Sequence, residues 1–282
     1  MPKTTVKLNE KFAFKKEFTT YVRETIYTYQ DGSVYVIDCN DGLVAQVINV
    51  DFIKNPIRCY YFDRYVYVYN YEDIAYYDVV NHTLSTKKMR HSSSNIVYSS
   101  FSEFRHTLII YSDLTVDIYN DRLDLVKTST IDKDLYNDFE QVIALARTFD
   151  DIAGYITIQK SGAVFLKLFA NNQVGLWAIM NGYNGDNSAI YQPYPGYLYY
   201  KTKNGFVRYR LGQENSATIL PGVLEILNPS YKFFALLLIG NQLAINNRLY
   251  SDIKMPIKLF GQHNQELIVV DADNVLHNLT GE

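Results

Sequence analysis

Asp31-Gly32-Ser33-Val34-Tyr35-Val36-Ile37-Asp38 opens on a turn dipeptide and continues as a run of alternating apolar residues. That pattern reads as a tight turn feeding a β-strand. The same eight-residue frame returns as Tyr71-Glu72-Asp73-Ile74-Ala75-Tyr76-Tyr77-Asp78 and as Asp113-Leu114-Thr115-Val116-Asp117-Ile118-Tyr119-Asn120. Weaker copies begin at Ser161, Asn204, Gly240 and Ala272. The fourth position is Val34, Ile74, Val116, Val164, Val207, Leu243 and Val275, aliphatic in every copy. The sixth is Val36, Tyr76, Ile118, Leu166, Tyr209, Ile245 and His277, apolar in all but the last. Residues two apart share one face of a strand, so each copy presents an apolar face to a neighbour.

The copies recur at roughly 40-residue intervals, the period of propeller blades built from four short strands. A strand is expected before each turn, at 25–29, 65–70, 107–111, 154–159, 196–202, 234–239 and 266–270. Another is expected after most copies, at 43–50, 83–89, 124–131, 173–180, 216–220 and 249–254. No strand follows the seventh copy, and the segment 6–14 has no partner of its own. Pairing 6–14 as the missing outer strand of the seventh blade removes an exposed sheet edge. The expectation is an all-β chain forming a single seven-bladed β-propeller of four-stranded blades over residues 1–282, its ring closed by the N-terminal strand. Blades fall near 17–54, 55–91, 92–134, 135–181, 182–221, 222–255 and 256–282 with 6–14. A β-sandwich or barrel is the competing architecture. Residues 138–147 carry a weak helical periodicity and read equally as a strand.

The turn, the alternating strand and a closing aromatic–Asp pair resemble a WD repeat. Tyr77-Asp78 and Ile37-Asp38 stand where that family has Trp-Asp, and Tyr119-Asn120 is a looser version. The last four copies lack the pair, and the family's Gly-His dipeptide is absent throughout. The resemblance therefore spans the chain in architecture and the first three blades in motif. It implies a rigid disc whose rims and loops bind other proteins.

Composition narrows the function classes. Lys and Arg number 27 and Asp and Glu 30, so no general field favours nucleic acid or an anionic membrane. Cys39 and Cys59 are too few for a disulfide scaffold and read as reduced, buried residues of a soluble intracellular protein, cytoplasmic or nuclear. The N-terminus lacks a signal-peptide core, and the apolar run 233–239 is too short to span a bilayer, so no membrane insertion is expected. Tyrosine is abundant at 26, with 15 Phe and one Trp. The Tyr and Asn excess also fits an AT-rich genome such as that of a virus or reduced parasite.

No phosphate loop, H-E-x-x-H metal site, nucleophile elbow or C-x-x-C pair is present, so neither a catalytic nor a metal site is assigned and no cofactor is expected. His82, His91, His106, His263 and His277 are scattered. Asp132, Asp134 and Asp138, with Glu140, lack the third ligand, the Gly and the distal Glu of a calcium loop and read as a solvated inter-blade loop. Residues 180–195, with Tyr183, Asn184, Asp186, Tyr191 and Tyr194, form the most loop-like segment. Long loops on rigid scaffolds often carry function, so these two loops are the candidate partner-binding sites. Tyr65, Tyr67, Tyr69 and Tyr71 share one strand face, expected to pack against the adjacent blade rather than to bind a partner or sugar. Lys87, Lys88, Arg90 and His91, with Arg58 and Arg64, form at most a modest basic patch.

The function expected on these grounds is a non-catalytic interaction scaffold, a subunit of a larger complex with one or more protein partners. A carbohydrate- or small-ligand-binding propeller and a hydrolase with central carboxylates are the alternatives.

Overall fold

The computed structural model describes residues 4–89, 95–101, 107–130, 139–147, 153–159, 164–170, 173–179, 190–191, 197–202, 205–210, 218–220, 222–229, 234–238, 241–246, 248–263 and 266–279. Its contacts divide the chain into two compact units, Met1–His91 with Tyr250–Glu282, and Ser92–Leu249.

In the first unit the chain runs from β1 (Thr4–Lys7) to a single 3-10 turn at Lys16–Phe18. A sheet follows of β2 (Thr19–Val22), β3 (Thr25–Gln30), β4 (Ser33–Asp38) and β5 (Val44–Asn49). The next contains β6 (Arg58–Phe62), β7 (Tyr65–Tyr69), β8 (Asp73–Asp78) and β9 (Thr83–Lys88). The second unit holds four further sheets. They are β10 (Ile96–Phe101) with β11 (Thr107–Tyr111), β12 (Thr115–Tyr119) and β13 (Leu125–Thr130), then β14 (Phe139–Arg147) with β15 (Ala153–Gln159), β16 (Val164–Ala170) and β17 (Gln173–Ile179). After them come β18 (Ile190–Tyr191), β19 (Tyr197–Thr202), β20 (Gly205–Arg210) and β21 (Thr218–Leu220), and finally β22 (Val223–Pro229), β23 (Phe234–Leu238), β24 (Gln242–Ile245) and β25 (Arg248–Tyr250). Back in the first unit, β26 (Leu259–His263), β27 (Glu266–Val270) and β28 (Val275–Asn278) form a sheet whose fourth strand is β1. Seven four-stranded sheets are thus present among the described residues, with neighbouring strands paired antiparallel.

β1 pairs with β28 in the register Thr4↔Asn278 to Lys7↔Val275. The N-terminal segment does complete the last sheet, but through Thr4–Lys7, not through 6–14. The reason is visible in Leu8, Phe12 and Phe14. These side chains are buried in the core as anchors, while residues 11–15 adopt no strand and Phe14 sits at φ 42. Of the loop-like segment 180–195, Ile190–Tyr191 forms a strand, pairing with Tyr200 and Tyr199 as the first of its sheet, and the remainder lies outside the described residues. Residues 139–147 form a strand of nine residues, so the helical periodicity is not realised.

The repeated frame has a local cause. Its turn places Asp31 and Gly32 at φ 50 and 85, and Asn241 and Asn274 at φ 56 and 62, conformations that Gly, Asn and Asp tolerate best. At its eighth position a short polar side chain caps the next turn. Asp38 Oδ1 accepts the Asn40 N–H at 2.8 Å. Asp78 Oδ1 accepts those of Val80 and Asn81 at 2.9 and 3.1 Å. Asn120 Oδ1 accepts those of Arg122 and Asp124 at 2.9 and 3.0 Å. The seventh-position residues Ile37, Tyr77 and Tyr119 are all buried. The aromatic–Asp pair is therefore a strand anchor followed by a side-chain turn cap.

Strand alternation explains the packing of the first unit. From β2–β5, Tyr21, Ile26 and Ile37 join one core with Leu259, Ile268, Val270 and Leu276. Val22, Tyr27, Val34 and Ile48 face the opposite way, into a core with Cys59, Val66, Val68, Ala75 and Tyr77. Period-2 geometry thus buries this sheet on both faces. Gly261 on β26 permits the close approach, since a Cβ there would lie 2.7 Å from the Tyr21 Cβ and 2.8 Å from the Ile268 Cγ1. On β7, Tyr67 and Tyr69 are buried and Tyr65 half-buried, while Tyr71 lies beyond the strand. Tyr60, Tyr67 and Tyr76 form a cross-strand row, with ring centroids 5.1 and 6.0 Å apart and stacked. This is a packing face.

Candidate functional site

Phe12 and Phe14 are fixed in the core, with ring centroids 5.6 Å apart and Phe12 5.2 Å from Tyr35. Alternation then turns Lys11, Ala13 and Lys15 outward, and all three are exposed. The 3-10 turn, closed by the Phe18 N–H donating to the Lys15 carbonyl at 2.9 Å, brings Phe18 back over the sheet. Phe18 lies 5.5 Å from Tyr29, tilted at 51°. Both rings are half-buried, packed from the outside on the second core. The Ala13 N–H donates to Gln30 Oε1 at 3.3 Å, tying this segment to the β3–β4 turn. Gln30 Nε2 in turn donates to Asp31 Oδ2 at 3.4 Å.

Between these parts lies an open groove of about 610 Å3, lined by Lys11, Phe12, Ala13, Lys15, Phe18, Tyr29, Gln30 and Asp31. One wall carries two lysines and the other a single aspartate. Neither the Lys11 nor the Lys15 ammonium has an ion-pair or hydrogen-bond partner among the described residues. Aromatic surface thus lies beside unpaired charge, the kind of chemistry found at interaction hot spots.

Several buried ionisable groups elsewhere among the described residues are committed to structure. Asp271 Oδ1 accepts the N–H groups of Asp273 and Val275 at 2.9 and 3.0 Å, and its Oδ2 lies 3.0 Å from His277 Nε2. Burial pushes the Asp271 carboxyl up, but the hydrogen bonds from His277 and the Val275 and Asp273 amides outweigh it and hold it below its usual range. The second ring nitrogen of His277, Nδ1, is buried without a hydrogen-bond partner. Asp117, 4% exposed, accepts the hydroxyls of Tyr111, Tyr119 and Thr128 at 3.0, 3.4 and 2.6 Å. Asp78 binds Arg64 at 2.9 Å besides capping its turn. Burial raises its carboxyl, yet hydrogen bonds from Asn81 and Val80, with Arg64, bring the net displacement downward. His82 meets the Tyr77 hydroxyl at 2.9 Å, and His263 lies 3.7 Å from Glu266. No three His, Cys, Asp or Glu side chains converge as a metal site among the described residues. Cys39 and Cys59 are unpaired and buried, and burial pushes both thiols up to about 12.

Of the residues expected to bind a partner, Asp132, Asp134, Asp138, Tyr183, Asn184, Asp186 and Tyr194 lie outside the described residues. Tyr191 is in β18, opposite Tyr199. The basic stretch is partly neutralised, since Lys88 pairs with Asp73 at 2.6 Å and Arg64 with Asp78, while Arg90 and His91 also lie outside the described residues. The groove itself is missed by sequence reasoning. Its one sequence signal is the interleaving of lysines and phenylalanines over residues 11–18, which alternates as a strand would. No described helix is long and apolar enough to cross a membrane.

No family model matches the chain, and no curated protein matches it in sequence. In structure it is similar to a chain of the "Crystal Structure of Mitotic Checkpoint Complex", with a TM-score of 0.58 over 99% of this chain and 94% of that one, at 10% identity. Such identity makes the likeness one of architecture, an all-β, propeller-like arrangement of four-stranded antiparallel sheets.

Proposed function

We propose that the chain is a non-catalytic protein-interaction scaffold, a single seven-bladed propeller acting as a subunit of a larger complex. The observation that carries this reading is where the polar chemistry resides. The buried carboxylates Asp78, Asp117 and Asp271 spend their oxygens on neighbouring turns and hydroxyls. The exposed groove on the first unit instead offers aromatic surface and unpaired lysines. The structurally similar chain, found in a mitotic checkpoint complex, supports membership of an assembly, as an argument from architecture. The two buried thiols support a reducing, intracellular compartment.

The test is a native pull-down of the tagged chain from its source cells, with mass spectrometry of what co-elutes. A stoichiometric protein partner is the expected result. Recovery of the chain alone, at concentrations where weak complexes persist, would sink the scaffold reading.

A further inference from the structure

The groove between the segment 11–18 and the β3–β4 turn has the chemistry of a peptide site. Phe18 and Tyr29 offer half-exposed ring faces on a floor held rigid by the core behind them. Rigid aromatic anchors lose little freedom on binding, which is why such residues dominate interaction hot spots. Lys11 and Lys15 flank that floor, and both ammonium groups are exposed and unpaired among the described residues. Their backbone positions are set by Phe12 and Phe14, buried between and beside them. The opposite wall carries Asp31, whose carboxylate accepts from Gln30.

We infer that this groove docks a short acidic segment of a partner protein, with one large apolar side chain seated on the exposed faces of the Phe18–Tyr29 pair and carboxylates meeting Lys11 and Lys15. The inference rests on the scaffold reading and names the class of partner. A volume of about 610 Å3 accommodates one such side chain with its flanking backbone. Two lysines are too few for a nucleic-acid surface, which needs a basic stripe. A bare anion would leave the aromatic floor unused. Asp31 gives the site polarity, repelling carboxylates from its wall and directing the acidic residues toward the lysines. Exposed ion pairs are individually weak, so the complex is expected to be salt-sensitive and short-lived.

Fluorescence anisotropy on the full chain at low ionic strength tests this with three labelled peptides: Glu-Glu-Phe-Glu-Glu, Glu-Glu-Gly-Glu-Glu and Lys-Lys-Phe-Lys-Lys. The first is expected to bind, and the other two to bind at least about tenfold more weakly. Joint reversal of Lys11→Glu and Lys15→Glu should weaken the first peptide by about tenfold or more without moving the thermal midpoint, because both side chains are exposed. Phe18→Ala should weaken it with little change in salt dependence. The inference is overturned if no peptide binds, if the basic peptide binds as well as the acidic one, or if the double reversal leaves affinity unchanged. In the pull-down, a partner retained by the double-reversal variant would overturn the groove assignment while leaving the scaffold reading intact.

Discussion

Gly42 lies in the β4–β5 loop at φ +74, where a Cβ would stand 2.7 Å from the Lys7 carbonyl oxygen, 3.0 Å from Val6 Cγ1 and 3.3 Å from Leu8 Cα. Gly42→Ala therefore carries two penalties. The left-handed conformation costs a residue with a Cβ about 1–2 kcal/mol. The overlap with Lys7 cannot be relieved by a side-chain rotation, because β1 is held by its ladder to β28 and by the Asn9 N–H bond to the Gly42 carbonyl at 3.4 Å. Overpacking of this kind costs about 1–3 kcal/mol. The sum, about 2–5 kcal/mol, lowers the thermal midpoint by roughly 3–9 °C in a chain of this size. Gly222 supplies the control, since it has the same φ of +74 and nothing within 4 Å of its would-be Cβ. Gly222→Ala should show only the backbone penalty of about 1–2 kcal/mol. Circular dichroism melts of both variants, with and without residues Thr4–Lys7, measure the difference. Equal losses in the two variants of the intact chain would refute the contact with β1. So would a Gly42→Ala penalty that, with β1 deleted, does not fall to the backbone share seen in Gly222→Ala.

Asp271→Ala removes the acceptor for His277 and for two turn amides in a buried site, and should cost about 2–4 kcal/mol by urea unfolding. Because the folded Asp271 carboxyl is held below its ordinary value, its stabilisation is present above about pH 4 and is lost as the pH falls through the folded value. The wild type should therefore lose more stability below pH 4 than Asp271→Ala does, and parallel pH profiles would refute the linkage. Cys39 and Cys59, with thiols pushed up to about 12, should resist a thiol-reactive dye at neutral pH until denaturant is added. Rapid labelling of the native chain would contradict their burial. Asp117→Ala takes the shared acceptor from three hydroxyls and should destabilise by about 2–4 kcal/mol, and a neutral outcome in urea unfolding would show that the cluster contributes nothing net.

Three strands of most repeats are legible because they are marked by turn chemistry and by alternation. Asp31-Gly32 before Val34 and Asp113-Leu114 before Val116 show both signals, and β4 and β12 lie where they point. The first strand of each sheet carries neither mark. Thr19–Val22 opens on two threonines after a charged run, and Ile190–Tyr191 is only two residues long within a polar segment. The N-terminal strand is legible in its role but not in its bounds. Leu8, Phe12 and Phe14 prolong the apolar spacing past Lys7, yet they serve as core anchors for a segment that has left the ladder. The groove is illegible for a related reason. It arises only when the 3-10 turn lays Phe18 against Tyr29, a contact set by tertiary packing and not by local period. The aromatic–Asp pairs are readable as a family likeness, but their work as turn caps is apparent only from the amide bonds of Asn40, Val80 and Arg122.

The pairing of β1 with β28 joins residues about 270 positions apart in the chain. On a ribosome adding about 5–20 residues each second, Thr4–Lys7 emerges roughly a quarter of a minute to a minute before its partner strand. For that interval its ladder groups have no native mate, while the sheets from β2 onward complete themselves with neighbours only a turn away. Final assembly is thus timed by translation, and slowing synthesis late in the message lengthens the period in which this strand is open to a chaperone or to another nascent chain.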